Sequence, residues 1–201
     1  MKILLTGFEP FGGECVNPSW EAVALLPDKI GETELVKQKL PTSYAGAVLH
    51  LKEAIAANRP DIVICVGQDG KCGSIMLETT AVNYADSRQA DNDGIVLKEK
   101  KINMEGKESY AVRLPLQNLK EALAQEGLPA EFSDSAGTYV CNYLFYSLLE
   151  MCGRDSNMLG GFIHVPYIPE QLNGKQPGTP SMELKDIARA LAVICKEFCK
   201  R

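Results

Sequence analysis

Short apolar runs, of the kind that form buried strands, recur along this chain. Residues 2–6 and 61–67 are almost wholly apolar, as expected for strands that are covered on both faces of a parallel sheet. Residues 160–165 form a third such run and are predicted to be the last core strand. Weaker strand patterns occupy three further segments: 34–39, 75–83 and 130–134. The sheet is therefore expected to be mostly parallel.

Helical patterns separate these strands. The most regular one covers residues 184–198, where apolar residues recur on one face at helical spacing, and Ser181 is its expected N-cap. Asn17 followed by Pro18 predicts the N-cap and first position of an earlier helix. Further helices are predicted over three segments: 43–57, 116–126 and 139–152. Because strands and helices alternate without a repeat or a break in composition, we expect one α/β domain over residues 1–201.

Composition and charge narrow the classes of function. The 201 residues carry a net charge of −5, and 45% of them are hydrophobic, an ordinary value for a globular domain. Lys and Arg form no dense stripe, so nucleic acid is not an expected partner. The apolar run at the N-terminus is too short for a signal peptide or a membrane span, so a cytoplasmic protein without a membrane partner is expected.

The cysteines and glycines do not indicate a cofactor. Seven cysteines form an odd set without a repeating spacing, and free thiols are expected. Cys195 and Cys199 lie four residues apart, but no histidine is near them, so a zinc site is not expected. The glycines at positions 67 and 70 are not followed by a helical pattern, which argues against a dinucleotide or phosphate loop. The sequence thus predicts neither a metal nor another cofactor.

Cys141 and His164 are the strongest candidates for chemistry. Thr138 is a plausible N-cap and would place Cys141 in the first turn of a helix, where free N–H groups and the helix dipole favour a thiolate. His164, one of two histidines, ends a predicted core strand and could serve as a general acid and base. Each residue has an alternative interpretation: a small buried thiol for Cys141, and a hydrogen-bonded structural histidine for His164.

Four further positions belong to this interpretation of the sequence. Glu78 lies between apolar residues of a predicted strand, where a buried carboxylate would need a partner; a solvent-facing strand position is the other interpretation. His50 lies within a helical pattern and is expected to be structural. Phe8 and Phe11 follow the first strand and suggest apolar walls at the edge of the sheet where α/β proteins bind ligands.

Several segments, taken in chain order, resemble the type I pyroglutamyl peptidases (pyrrolidone-carboxylate peptidases), a family of cysteine peptidases. These segments are LTGFEPFGG at 5–13, NPSWE at 17–21, VGQ at 66–68, AGTYVCN at 136–142 and GFIHVPYIPEQ at 161–171. The resemblance covers nearly the whole chain. It implies a single-domain, three-layer α/β/α sandwich with a mostly parallel, twisted sheet, and assembly as a homotetramer.

The resemblance also implies an activity, the removal of an N-terminal pyroglutamyl (5-oxoproline) residue from peptides through a thioester intermediate. By this resemblance Cys141 is the nucleophile, His164 the general acid and base, and Glu78 the residue that orients the imidazole. Arg88 resembles the arginine that helps to stabilise the oxyanion. The pyrrolidone pocket of the family falls on six positions: Phe8, Phe11, Thr42, Gln68, Tyr139 and Val140.

Two positions depart from the family's pattern and keep alternatives open. Thr79 stands where the family usually has an arginine, and Gln89 stands where an apolar pocket residue is expected. A protein that binds 5-oxoproline but turns it over poorly is therefore one alternative. The other alternative is a different Cys-His-Glu amide hydrolase, such as a glutaminase.

Overall fold

A seven-stranded sheet forms the centre of the computed structural model, which describes residues 1–155 and 157–200. The strands are β1 (Lys2–Phe8), β2 (Lys29–Ile30), β3 (Thr33–Leu40), β4 (Ile62–Gln68), β5 (Ile75–Glu78), β6 (Thr80–Val82), β7 (Ser109–Ala111), β8 (Ala130–Ser133) and β9 (Leu159–Val165). The main sheet has the order β2-β3-β1-β4-β9-β5-β8, and β6 pairs with β7 in a small second sheet. Within the main sheet β2 is antiparallel to β3 and β5 is antiparallel to β9, whereas the other neighbours are parallel.

Helices cover both faces of the main sheet. They are α1 (Pro18–Ala24), α2 (Tyr44–Asn58), α3 (Leu116–Gln125), α4 (Val140–Arg154) and α5 (Leu184–Phe198), with a 3-10 helix at Pro169–Gln171. One apolar core lies under α1, α3 and α5, and the other lies under α2 and α4. The predicted α/β class and the three-layer arrangement are thus confirmed.

Local capping explains where some of these helices begin. The Asn17 side chain accepts a hydrogen bond from the Ser19 N–H at the start of α1, which confirms Asn17 as an N-cap. The N-cap expected at Ser181 is wrong, because α5 begins at Leu184 with Glu183 in the cap position. Ser181 instead forms an isolated bridge with Tyr167, which holds it in extended backbone.

The segment predicted as one strand over 75–83 is divided between the two sheets. β5 ends at Glu78 in the main sheet, and β6 starts at Thr80 in the small sheet. The sequence pattern also missed β2 and β7, which have two and three residues and are too short to show a periodicity. In the part of the chain that the structure describes, no helix is long and apolar enough to cross a membrane.

Candidate active site

His164 lies near the carboxyl end of β9, in the middle of the main sheet. Its side chain is buried, and its ring packs against Phe162, two residues earlier on the same strand, with 4.9 Å between ring centroids. Residues two apart on a strand share one face. The imidazole therefore lies on the face of the sheet that α4 covers, because Phe162 belongs to the core under that helix.

The antiparallel strand β5 brings a carboxylate to this histidine. Met76 is the cross-strand partner of His164, so Glu78 projects from the same face two residues further on. Glu78 Oε1 lies 2.7 Å from His164 Nδ1, and both side chains are buried. Glu78 Oε2 is also buried and has no hydrogen-bond partner among the described residues. The contact fixes Nδ1 as the protonated ring nitrogen and leaves Nε2 for other chemistry.

Cys141 is the second residue of α4, so its predicted place in the first turn of a helix is confirmed. The predicted cap at Thr138 is wrong: Tyr139 occupies the N-cap position without a side-chain cap, because the Thr138 hydroxyl donates to the Asp86 carbonyl instead. Gly137 has a φ of 76° and allows the sharp turn that leads into the helix.

The absence of a side chain at Gly67 makes room for the thiol. Gly67 is the cross-strand partner of His164 on β4. A Cβ atom built at Gly67 would lie 2.9 Å from Cys141 Sγ and equally close to the ring of Phe162. The sulfur therefore stands directly over Gly67, beside the imidazole. Only glycine permits this approach.

The charges of the site support an imidazolium. Burial disfavours a charged ring, but the negative charge and hydrogen bond of Cys141, together with those of Glu78, outweigh it and raise the pKa of His164 to about 10. Burial is the largest cause that raises the pKa values of the Cys65, Cys72 and Cys195 thiols to about 12, which makes them poor nucleophiles. Cys141, by contrast, lies beside the His164 ring.

A cavity of about 360 Å³ opens over these residues. Cys141 and His164 line it together with three of the predicted pocket residues: Phe11, Gln68 and Tyr139. The rings of Phe11 and Tyr139 are 6.2 Å apart and form adjacent aromatic walls. This arrangement places a thiol, an imidazole and two aromatic rings around one cavity.

The other predicted pocket residues lie behind this lining. Phe8 is buried and packs on Phe162, which in turn packs on His164. Thr42 is buried, and its hydroxyl donates to the Glu9 carbonyl. Val140 is buried in the core under α4. These three residues support the cavity wall from the core side.

Arg88 and Gln89 lie on the loop 84–95 and are both exposed. The lining of the cavity does not include Arg88, and the described residues offer it no ion pair. Gln89 reaches across to the turn after β1, where its Nε2 lies 2.9 Å from the position that a Cβ would take at Gly12. Gln89 thus lies over the turn that carries Phe11.

The loop is held against neighbouring segments. Asn92 donates to the Pro10 carbonyl, the Tyr139 hydroxyl donates to the Ala90 carbonyl, and the Tyr44 N–H donates to Asp91. The loop therefore contacts Tyr139, which lines the cavity, and the turn that carries Phe11. His50, by contrast, is exposed on α2, so it is not one of the buried structural side chains.

Sequence reasoning missed five of the lining residues: Asp69, Lys71, Ser135, Ala136 and Gly137. Asp69 and Lys71 follow β4, and the other three precede α4. Their position next to the ends of predicted core elements was the available signal, since ligand sites of α/β folds lie at the carboxyl ends of strands.

No group of three or more His, Cys, Asp or Glu able to hold a metal ion occurs in residues 1–155 and 157–200.

The sequence of the whole chain matches a known family. A sequence model described as pyroglutamyl peptidase matches residues 1–200. The chain belongs to the pyroglutamyl peptidase family. This is a family of cysteine peptidases, and its model spans every element that builds the cavity.

Curated relatives and solved structures agree with this membership. The pyrrolidone-carboxylate peptidase of Thermosipho africanus is 46% identical over 201 residues, which are 100% of this chain and 98% of that protein. Pyroglutamyl peptidase I from Bacillus amyloliquefaciens has a crystal structure that matches with a TM-score of 0.94 and 43% identity over 98% of this chain and 93% of that one. A mutant pyrrolidone carboxyl peptidase from the hyperthermophile Pyrococcus furiosus matches with a TM-score of 0.95 and 36% identity, over 100% and 99% of the two chains.

Proposed function

We propose that the protein is an exopeptidase that removes an N-terminal pyroglutamyl residue from peptides, with the chain acting as one catalytic domain. The observation that carries the proposal is the buried His164–Glu78 pair, which faces the Cys141 thiol at the floor of an aromatic cavity. Family membership supports the same activity. A cysteine beside a histidine that a carboxylate orients is the arrangement that activates a nucleophile for acyl transfer.

The cavity suits the pyroglutamyl ring. This ring is a neutral lactam whose nitrogen carries no charge, so an acidic anchor is not needed. The walls formed by Phe11 and Tyr139 can cover its faces, and the Gln68 amide can hydrogen-bond the lactam group. A buried lactam without such a partner would lose affinity, because desolvated polar groups are costly.

Acylation begins with attack of the Cys141 thiolate on the carbonyl that follows the ring. The new C–S bond forms as the carbonyl electrons move to oxygen, and the oxyanion rests on the Cys141 N–H at the start of α4. Collapse of this intermediate breaks the C–N bond, and the His164 imidazolium gives its proton to the departing peptide amine. The products are a shortened peptide and a pyroglutamyl thioester.

Deacylation uses the same groups in reverse. The neutral His164 removes a proton from a water molecule, which attacks the thioester carbonyl. The C–S bond then breaks, which releases 5-oxoproline and restores the thiolate–imidazolium pair. Glu78 holds the ring throughout through Nδ1, so Nε2 remains the atom that exchanges protons.

Arg88 is proposed as a second group that stabilises the oxyanion. The resemblance to the family supports this role, and Arg88 lies on the loop that borders the cavity. Its guanidinium is exposed, so the role requires the side chain to turn inward when the substrate binds. Loss of one oxyanion donor lowers kcat by about 100- to 1000-fold in hydrolases of this kind. Arg88→Gln should therefore lower kcat with little change in KM.

Replacement of the nucleophile tests the activity. Cys141→Ala should abolish cleavage of a pyroglutamyl-arylamide, measured by release of the arylamine. Cys15→Ala is the matched control, because Cys15 is an exposed free thiol outside the cavity, and it should retain the wild-type rate. Cleavage by Cys141→Ala at the wild-type rate would contradict the assignment.

One observation favours a glutaminase-like activity as the second candidate. Asp69 and Lys71 line the cavity and carry opposite charges, which could pair with the amine and carboxylate of free glutamine. However, Asp69 Oδ1 already accepts the Lys71 N–H within its own turn. Ammonia release from free glutamine separates the two candidates, and we expect none.

We also infer, from the resemblance to the family, that the protein is cytoplasmic and forms a homotetramer. Light scattering coupled to size-exclusion chromatography would test the assembly. A single species at four times 22.0 kDa is the expected result.

A further inference from the structure

A chain of buried side chains lies behind the cavity wall that Gln68 forms. Gln171 ends the 3-10 helix that follows β9, seven residues after His164, and it is buried. Its Nε2 lies 3.0 Å from Gln68 Oε1, although the two residues are 103 positions apart in sequence. Gln171 therefore touches the amide that faces the substrate cavity, while Gln171 itself is not part of the lining.

The partners of Gln171 determine which way its amide points. The backbone N–H of Ile168 can only donate, and it lies 3.2 Å from Gln171 Oε1, so the oxygen must be on that side. Nε2 faces two groups that can only accept, Glu14 Oε2 at 3.2 Å and the more distant Val16 carbonyl at 3.4 Å. Because Nε2 carries two hydrogens, one N–H is shared by this pair of acceptors and the other points to Gln68. Lys175 pairs with the Glu14 carboxylate and neutralises its charge. Three independent partners thus set one orientation.

The orientation of the Gln171 amide determines the orientation of the Gln68 amide. Because Gln171 presents an N–H to it, Gln68 must turn its oxygen toward Gln171 and cannot flip without placing two N–H groups face to face. The atom left for the cavity is therefore Gln68 Nε2, a donor. A donor at this place selects a ligand with an acceptor, and the pyroglutamyl ring differs from a prolyl ring by having a carbonyl oxygen.

We propose that Gln171 is a positioning residue, which holds Gln68 so that its amide N–H reads the ring carbonyl of the pyroglutamyl group. The proposal rests on the proposed function, because it assigns the lactam as the ligand of the cavity. A rival explanation is purely structural: Gln171 ties the segment 14–16 to the turn after β9. The two explanations differ in whether the effect of Gln171 passes through Gln68.

A double-mutant cycle separates them, with 2-pyrrolidone as the probe. This compound is the lactam ring alone, and its Ki is measured as competitive inhibition of pyroglutamyl-arylamide cleavage. The variants are Gln171→Met, Gln68→Met and the double variant, and Gln125→Met on the exposed end of α3 is the matched control. The rate of inactivation by iodoacetamide reports whether the Cys141–His164 pair is intact.

We expect Gln171→Met to raise the Ki of 2-pyrrolidone about 10-fold, which corresponds to the loss of one neutral hydrogen bond. The iodoacetamide rate should stay within about 2-fold of wild type, since the nucleophile is not disturbed. In the Gln68→Met background, Gln171→Met should add nothing further. If Gln171→Met does not fold, Gln171→Ala removes the amide without adding charge or bulk to the buried site, and the same increase is expected.

Three results would overturn the proposal. If the increases in Ki caused by Gln171→Met and Gln68→Met multiply in the double variant, Gln171 acts by packing and not through Gln68. A fall in the iodoacetamide rate by the same factor as the loss of 2-pyrrolidone binding would also show that Gln171 acts by packing. An unchanged Ki in both Gln171 variants would remove the role altogether. Failure of the proposed function is distinguishable, because the wild type itself would then neither bind 2-pyrrolidone nor cleave the arylamide.

Discussion

At the scale of single residues, the site depends on a hydrogen bond between two buried groups, the His164 imidazole and the Glu78 carboxylate. The His164 ring is surrounded by protein, and burial alone would make it a weaker base than a free imidazole. Its contact with Glu78 is short and excluded from water, where charge interactions are much stronger than at a surface. The result is an imidazolium that persists well above neutral pH, which suits a thiolate partner.

This balance predicts the effect of removing the Glu78 charge. Glu78 raises the pKa of His164, so Glu78→Gln should lower it and move the alkaline limb of kcat/KM to lower pH by about 1 unit. The direction follows because the leaving amine needs the imidazolium, which the variant loses sooner as pH rises. The measurement is the pH-rate profile on a pyroglutamyl-arylamide.

The control for this prediction is Glu131→Gln. Glu131 is an exposed carboxylate on β8, the strand next to β5, and it is not part of the cavity lining. Its profile should coincide with that of the wild type. An alkaline limb that stays in place in Glu78→Gln would show that the carboxylate does not set the pKa of His164.

At the scale of elements, the site is built where a helix start meets the ends of strands. α4 approaches β4 so closely at Gly67 that the Cys141 sulfur occupies the space of a side chain. Neither element could be moved by one residue without losing this contact, because a shift along a strand turns its side chains to the other face.

Gly67→Ala tests this close approach. The new methyl group would lie 2.9 Å from Cys141 Sγ, which is too near for an unshifted thiol. Because displacement of a reacting atom by about 1 Å can cost about 100-fold in rate, kcat/KM should fall by at least that factor. Gly73→Ala is the control, because a Cβ there would lie 3.3 Å from Pro180, a far milder contact. Near-normal activity of Gly67→Ala would contradict the geometry.

The N-cap of α1 links a second helix to the cavity. Asn17 is buried and accepts hydrogen bonds from the Ser19 N–H and hydroxyl, while its amide donates to the Glu9 carbonyl in the turn that carries Phe11. Asn17→Ala should therefore lower the free energy of unfolding by about 1–2 kcal/mol and also raise KM. Urea denaturation and steady-state kinetics measure the two effects.

Asn118→Ala provides the comparison for this cap. Asn118 is exposed on α3, so its replacement should change stability by less than about 0.5 kcal/mol. A stability loss in Asn17→Ala without a change in KM would show that the turn keeps its shape when the cap is removed.

At the scale of the whole molecule, the sequence predicted what is local and missed what depends on the order of strands. The apolar runs located β1, β4 and β9, and the Asn17-Pro18 pair located α1, because each signal lies within a few residues. No local pattern shows that β5 enters the sheet antiparallel beside β9, although this pairing is what brings Glu78 to His164. Contacts between distant segments, such as Gln171 with Gln68, are likewise set by topology.

The selectivity of the molecule is a property of all these segments together. The turn after β1 provides one aromatic wall, the start of α4 provides the other, and the end of β4 provides an amide. In the proposed binding mode a pyroglutamyl ring satisfies all three, whereas a prolyl ring of nearly the same shape has no carbonyl for the amide and carries a charged amine. Sites that hydrogen-bond a substrate group reject an analogue without it far more strongly than apolar contacts alone would.

Pyroglutamyl-arylamide should accordingly be cleaved with a kcat/KM at least about 1000-fold higher than prolyl-arylamide. Both compounds release the same arylamine, so one assay compares them directly. Gln68→Met should reduce the ratio of the two kcat/KM values, because the variant no longer offers the amide donor. Cleavage of the two substrates within 10-fold of each other would mean that the cavity distinguishes shape alone, and the aromatic walls rather than Gln68 would then account for binding.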